Sequence, residues 1–230
     1  MRLLAIESST ELLTIALHLD GRIVEREGAR GAAHSETALP LLQSLLDEQG
    51  MALAGLDGIA FGAGPGAFTG LRFACSAAQG LAVGAGLPVI GVGSLEAMAL
   101  QMGDGLVYAC ADARMREAYC AAYRVRGEDV ETIVAPVVAR PDLVPQPPGP
   151  GWLGCGSGFA AYAAEIATRL GPAISRVDAS ARPRAAGVLR LAAPRLARGQ
   201  GVDAALAAPL YVRDKVAMTT QERLAAGGSK

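Results

Sequence analysis

Gly58-Ile59-Ala60-Phe61-Gly62-Ala63-Gly64-Pro65-Gly66-Ala67-Phe68-Thr69-Gly70-Leu71-Arg72 carries the reading that decides the fold. An apolar run enters it, glycines and a proline crowd its middle, and an Ala-rich segment leaves it. Glycine accepts φ > 0 freely, so the crowding marks a turn that few other residues could follow. The spacing predicts strand, tight turn and helix, with Thr69 capping the helix through its hydroxyl. Strand, glycine turn and helix N-terminus is also how proteins cradle phosphate, so two readings stand. No Gly-Lys-Ser/Thr closes the loop and the glycines do not follow G-x-G-x-x-G, which favours the structural turn.

Downstream, residues 73–95 hold no charge over a length that would span a bilayer. Gly80, Gly84, Gly86, Gly91, Gly93 and Pro88 interrupt them, and Gly84-Ala85-Gly86-Leu87-Pro88 reads as a helix stop. The run is therefore expected to be a buried helix over 69–85 and a buried strand over 89–92, with no membrane span. Upstream lie three strand-like runs, 2–6, 12–19 and 22–27, the last two joined by an Asp20-Gly21 hairpin turn. A helix over 35–49 puts Ala38, Leu39, Leu42, Leu45 and Leu46 on one stripe, with Pro40 predicting a kink or a later start. A strand over 56–61 leads into the glycine turn, and a helix over 94–101 follows the 89–92 strand.

The second half repeats the first. A strand over 106–111 ends in Asp112 as the first strand ends in Glu7. Strands over 117–125 and 130–137 follow, joined at Gly127-Glu128-Asp129. A connector with Pro141, Pro145, Pro147, Pro148 and Pro150 leads to a strand at 152–155, a helix near 159–170, a strand near 174–177 and a helix near 184–198. Three strands and then alternating helices and strands, twice over, specify an α/β protein with a mixed sheet in each of two lobes. The expected division is 1–102 for the N-terminal lobe, 103–216 for the C-terminal lobe and 217–230 for a polar, glycine-rich, frayed tail.

The chain of 230 residues, 51% hydrophobic and 19% charged, is large enough for a sizeable core. A net charge of −1 gives no electrostatic footprint for nucleic acid, so any RNA would be held mainly through a partner. Cys75, Cys110, Cys120 and Cys155 show no C-x-x-C spacing and read as buried, reduced thiols of a cytosolic protein. Glu7 comes too early for a signal peptide. His18 and His34 form no H-x-x-x-H or H-E-x-x-H pair, which argues against a catalytic zinc or iron site. A Ser-His hydrolase fares no better, because Gly154-Cys155-Gly156-Ser157-Gly158 lacks the spacing of the nucleophile elbow.

Glu7 and Asp112, at the ends of matching strands, invite a metal or phosphate reading. In two-lobed ATPases and sugar kinases of the actin, Hsp70 and hexokinase superfamily, the equivalent turn is Asp-x-Gly followed by Thr or Ser. Its glycine lets backbone N–H groups approach phosphate, and its acid holds a hydrated cation. Here Glu7-Ser8-Ser9-Thr10 has a longer acid and a side chain at the glycine position, and Asp112-Ala113-Arg114-Met115 has no glycine. The pattern resembles a nucleotide fold with eroded phosphate loops. An independent ATP-dependent kinase or ATPase on this fold is the rival reading, and the obstructed approach predicts poor nucleotide affinity for it. The helix over 69–85 is apolar nearly all round (Leu71, Phe73, Ala74, Cys75, Ala77, Ala78, Leu81, Ala82, Val83), so it needs cover on more than one side. The second lobe and another subunit are both open as that cover.

Taken together the motifs resemble one family. They are Ala5-Ile6-Glu7-Ser8-Ser9-Thr10, where the family usually has Asp-Thr-Ser-Thr; His34-Ser35-Glu36 with Leu39-Pro40; and the 64–72 turn, commonly with Ser at 67. Further on stand Gly91-Val92-Gly93-Ser94-Leu95-Glu96-Ala97, Asp112-Ala113-Arg114-Met115-Arg116-Glu117-Ala118-Tyr119 and Pro209-Leu210-Tyr211-Val212-Arg213-Asp214. In this order they resemble the TsaB family of bacterial tRNA threonylcarbamoyladenosine biosynthesis proteins. The resemblance implies a two-lobed actin-like fold built from duplicated ribonuclease H-like lobes. It also implies a subunit with no catalytic residue, metal or cofactor of its own, working in the cytoplasm. Its relative TsaD transfers threonylcarbamoyl from its adenylate to the adenosine beside the anticodon. TsaD carries a metal-binding H-x-x-x-H where this chain has Gly93-Ser94-Leu95-Glu96-Ala97. The implied partners are TsaD in a heterodimer and the ATPase TsaE in a ternary complex, with tRNA contacted mainly through them. The implied interface is on the N-lobe helices, at Leu39, Leu42, Leu46, Phe73, Ala74, Ala77 and Leu81, and a homodimer through the same helices is a further implication.

Overall fold

Alternation along the first strand sets the layers of the molecule. In β1 (Arg2–Glu7), Leu3 and Ala5 enter one core cluster while Leu4 and Ile6 enter another, so both faces of the strand are buried. The structure is a computed structural model and describes residues 1–29 and 31–213. After β1 come β2 (Thr14–Leu19), β3 (Arg22–Glu27), α1 (His34–Glu48), β4 (Gly58–Gly64), α2 (Phe68–Ala85), β5 (Val89–Gly93) and α3 (Ser94–Leu100). The second series is β6 (Gly105–Asp112), β7 (Ala118–Arg126), β8 (Asp129–Ala139), β9 (Trp152–Cys155), α4 (Gly158–Ala161), α5 (Ala163–Leu170), β10 (Ile174–Asp178) and α6 (Ala185–Ala197).

Each series builds a five-stranded mixed sheet, in the orders β3-β2-β1-β4-β5 and β10-β9-β6-β7-β8. The first three strands of each series pair antiparallel and the last two run parallel to the first, so the two sheets share one topology. The duplication read from the sequence is present as an α/β fold of the actin-like type. Asp20 and Gly21 make the first hairpin turn with φ of 51° and 100°. α1 begins at His34 and runs through Pro40, whose ring is exposed, rather than starting later.

Helices α1 and α2 cover the outer face of the first sheet, and α4 and α5 lie on the outer face of the second. Between the sheets lies the central core, built on α3 and α6 with Leu95, Met98, Val188, Leu189 and Leu191. The two central helices exchange sheets. α3 belongs to the first series but packs on β6 and β7, whereas α6 ends the second series and packs across β1, β2, β4 and β5. Val202 then bridges Val89, and Leu210 N donates to the Ala63 carbonyl at 2.8 Å. Residues 185–210, which fall in the expected 103–216 lobe, thus pack with the first sheet, and α6 is the cover that the apolar inner face of β1 and β4 requires. The helix near 159–170 is broken at Tyr162, whose φ of −132° and ψ of 43° leave the helical region. The tail expected to fray, 217–230, lies outside the described residues.

All four cysteines are free and buried. Burial pushes the Cys155 thiol up to about 12 and raises that of Cys75 as well, which keeps these sulfurs protonated and unreactive. Among the described residues no helix is long and apolar enough to cross a membrane.

Candidate functional site at the interlobe cleft

The glycine turn is shaped around the end of β1. Glu7 is 1% exposed. The Ser9 N–H donates to its Oε1 at 2.6 Å, and the Ser94 hydroxyl, from the first turn of α3, donates to its Oε2 at 2.8 Å. Ser94 Oγ in turn accepts from Gly64 N at 3.2 Å, so one carboxyl ties β1, the glycine turn and α3 together. Burial raises its pKa, against the lowering effect of the Ser9 and Ser94 bonds.

The glycines are there to let this happen. A Cβ at Gly62 would overlap Glu7 Oε2, one at Gly66 the Ser9 backbone, and one at Gly70 the Ser8 carbonyl. Ser8 Oγ donates to Gly70 O at 2.9 Å, and Ala67 N donates to Ser9 O at 2.7 Å. Thr69 does not cap α2, contrary to expectation. The N-cap is Ala67 with no side-chain bond, because the loop's polar groups are taken by Ser8 and Ser9 and the helix starts a residue before Thr69.

The second acid is also engaged. Asp112 Oδ1 accepts from Arg114 N at 2.9 Å and from the Tyr162 hydroxyl at 2.7 Å, and its Oδ2 lies 3.2 Å from the Arg114 guanidinium. Burial first, then donation to Asp112, pushes the Tyr162 hydroxyl up to about 12. The turn that follows holds Arg114, Met115 and Arg116 at φ of 60°, 53° and 57°, three consecutive left-handed residues with no glycine. Between the two acid turns opens a cleft of about 490 Å³, lined among others by Ser9, Gly66, Asp112, Arg114, Tyr119 and Arg182. Its two arginines are both committed, Arg114 to Asp112 and Arg182 to Glu11 at 3.1 Å.

This cleft does not fit a nucleotide with its cation. In an Asp-x-Gly turn the glycine N–H faces phosphate, whereas here the Ser9 N–H is turned onto Glu7 and the Ser9 side chain fills the glycine place. Ser9 Oγ is itself the buried side-chain polar atom that lacks a partner among the described residues. Among those residues no group of three or more His, Cys, Asp and Glu stands close enough to hold a metal ion. His18 bonds the Met1 carbonyl, and His34 lies 6.3 Å from the Phe73 ring.

The expected interface residues divide into three environments. Leu39 is 59% exposed on α1. Phe73, Ala77 and Leu81 are half-buried and rest on the outer core. Leu42, Leu46 and Ala74 are buried inside it, because the stripe they form faces the sheet. Of the two covers left open for α2, the second half of the chain supplies part. The flank of the helix is closed by the segment after α6, where Gln79 donates to Ala204 O at 2.9 Å and Cys75 Sγ reaches Ala207 O. What stays open is Ser76, Gly80, Val83 and Gly84, with Val83 73% exposed.

Three residues escaped sequence reasoning. Ser94 and Arg213 lie inside motifs that were legible as family marks, but nothing local gave their partners. Tyr162 carried no signal, since its bond to Asp112 spans two elements far apart in the chain.

The family model for TsaD, tRNA N6-adenosine threonylcarbamoyltransferase, matches residues 28–221. The tRNA threonylcarbamoyladenosine biosynthesis protein TsaB of Escherichia coli is 34% identical over 94% of this chain and 96% of its own length. A tRNA N6-adenosine threonylcarbamoyltransferase of Paracoccus denitrificans is 36% identical over 59% of this chain and 41% of its own. Among solved structures, YeaZ from Pseudomonas aeruginosa superposes with a TM-score of 0.83 at 36% identity, covering 91% of this chain and 99% of that one.

Proposed function

The chain belongs to the TsaB family, and from that premise we propose that it is the non-catalytic subunit that binds and activates TsaD. The family's role is tRNA threonylcarbamoyladenosine biosynthesis. The observation that carries the proposal is the state of Glu7. An acid that would hold a cation in an active relative is here closed off by Ser9 N and Ser94 Oγ, and spends both oxygens on the fold. The strand that precedes an H-x-x-x-H in TsaD leads instead into Gly93-Ser94-Leu95-Glu96-Ala97, whose serine is the residue that seals Glu7. The two histidine positions are Gly93 and Ala97 here, and Ser94 between them supplies a structural bond to Glu7.

The proposed docking surface is the outer side of α1 and α2. Small residues at Ser76, Gly80 and Gly84 recur at helical spacing on an exposed face, which lets a partner helix approach closely. Leu39 and Val83 add exposed apolar area to it. TsaE and tRNA join through TsaD in this reading, and the protein works in the cytoplasm. The test is reconstitution of threonylcarbamoyl transfer with TsaD, TsaE and the adenylate, with and without this chain. Transfer should collapse without it; undiminished transfer sinks the proposal. Binding of magnesium-ATP to the isolated chain separates this reading from an independent ATPase, which requires saturable affinity.

A further inference from the structure

The four residues Leu210 to Arg213 cross from one lip of the cleft to the other. On the first lip, Leu210 N donates to Ala63 O at 2.8 Å. The Tyr211 ring lies 5.6 Å from Phe68, and its hydroxyl accepts from Arg72 Nε at 3.2 Å. These contacts fix the segment to the glycine turn and the first turn of α2. On the second lip, the Arg213 guanidinium donates to Ala113 O at 3.1 Å and to the Glu117 carboxylate at 2.5 Å. It also sits 5.8 Å over the Tyr119 ring. Val212, between the two anchors, packs on the central core. Pro65, Gly66 and Ala67 on one side and Ala113, Arg114 and Tyr119 on the other all line the cleft, so both anchors hold its walls.

We propose that Leu210–Arg213 is a strap that fixes the angle between the two lobes. An extended chain spans roughly 3.3–3.6 Å per residue, so four residues set a short upper limit on how far the two anchors can part. Its second anchor grips both ends of the turn that holds Arg114, Met115 and Arg116 in the left-handed region. Backbone of that kind persists only when its surroundings over-determine it, and Arg213 supplies that constraint through a partly buried, charge-assisted pair. A two-lobed protein that must close over a nucleotide needs its lobes free to swing. This one is tied across the opening, so its cleft keeps a single width.

The test uses the full chain with nitroxide labels on Thr69→Cys and Ala161→Cys, exposed positions on opposite lobes, the native cysteines being buried. With Arg213 intact the inter-label distance should be single and narrow. Arg213→Ala should lengthen and broaden it, and exchange of the Glu117 amide, bonded to Arg114 O, should quicken by about tenfold or more. Glu117→Gln, which keeps size and removes charge, should broaden the distribution in the same sense and carries the test if Arg213→Ala does not fold. A narrow, unshifted distance in a folded Arg213→Ala or Glu117→Gln chain overturns the proposal.

Discussion

Glu7 shows how a single residue can change its work while keeping its place. The end of β1 is where this fold presents an acid to its cleft, and the sequence marked Glu7 on those grounds. What the sequence did not show is that the longer side chain folds back under Gly62 and meets Ser94, a partner 87 positions away. Because burial raises the Glu7 pKa above its ordinary 4.5, the native state holds this proton to higher pH than the unfolded chain does. The contribution to stability is therefore complete below that ordinary value and is lost as pH rises through the raised native one. Glu7→Gln cannot ionise, so in urea unfolding it should track the parent below about pH 4.5 and gain on it as pH rises toward 8. Parallel pH profiles for the two proteins would show that Glu7 is ionised in both states and that its burial carries no such cost. Glu7→Gln should also leave TsaD activation intact, since the proposal gives the carboxylate no chemistry.

At the scale of elements, most of the fold was legible because periodicity is local. Alternating strands and a helix stop at Gly86, which takes φ of 66° at the C-cap of α2, could be read within a few residues of themselves. The failures lie where an element's faces had to be told apart. An apolar stripe states that a face is buried but not by what: Leu42, Leu46 and Ala74 carry the stripe, and in the chain itself it is their own sheet that covers them. Thr69 was read as a cap because capping is assigned from sequence offset, and the Ser8 hydroxyl and the Ser9 carbonyl had already claimed that loop. The open face of α2 gives the sharper test of docking. A Cβ at Gly80 or Gly84 meets nothing within 4 Å, so Gly80→Ala should stabilise the isolated chain by about 0.5–1 kcal/mol. Gly80→Leu should keep the monomer folded yet weaken the TsaD complex about tenfold or more in sedimentation, because a branched side chain blocks close helix approach. Unchanged affinity with Gly80→Leu would move the interface off this face.

At the scale of the whole molecule, the exchange of α3 and α6 between sheets makes the two series one cooperative unit. No local pattern could reveal it, because the helix that covers β1 lies more than half the chain away from it. Without α6 the inner face of the first sheet, with Leu3, Ala5, Ala16 and Ala60, loses its cover, and each large apolar side chain so exposed forfeits about 1.5–3 kcal/mol. Three polar ties reinforce the docking: Thr14 Oγ1 accepts from Ala185 N at 2.8 Å, Glu25 from the Arg184 guanidinium at 2.7 Å, and Glu96 from Arg195. A fragment of residues 1–102 therefore holds a complete sheet order but half of its cover. It should bind a hydrophobic dye, show strand signal without a sharp melt, and regain a cooperative transition when residues 103–230 are added in trans. The intact chain should unfold in one calorimetric transition whose van't Hoff and calorimetric enthalpies agree. If the 1–102 fragment melts sharply by itself as a monomer, the first series is an autonomous domain and α6 an accessory to it.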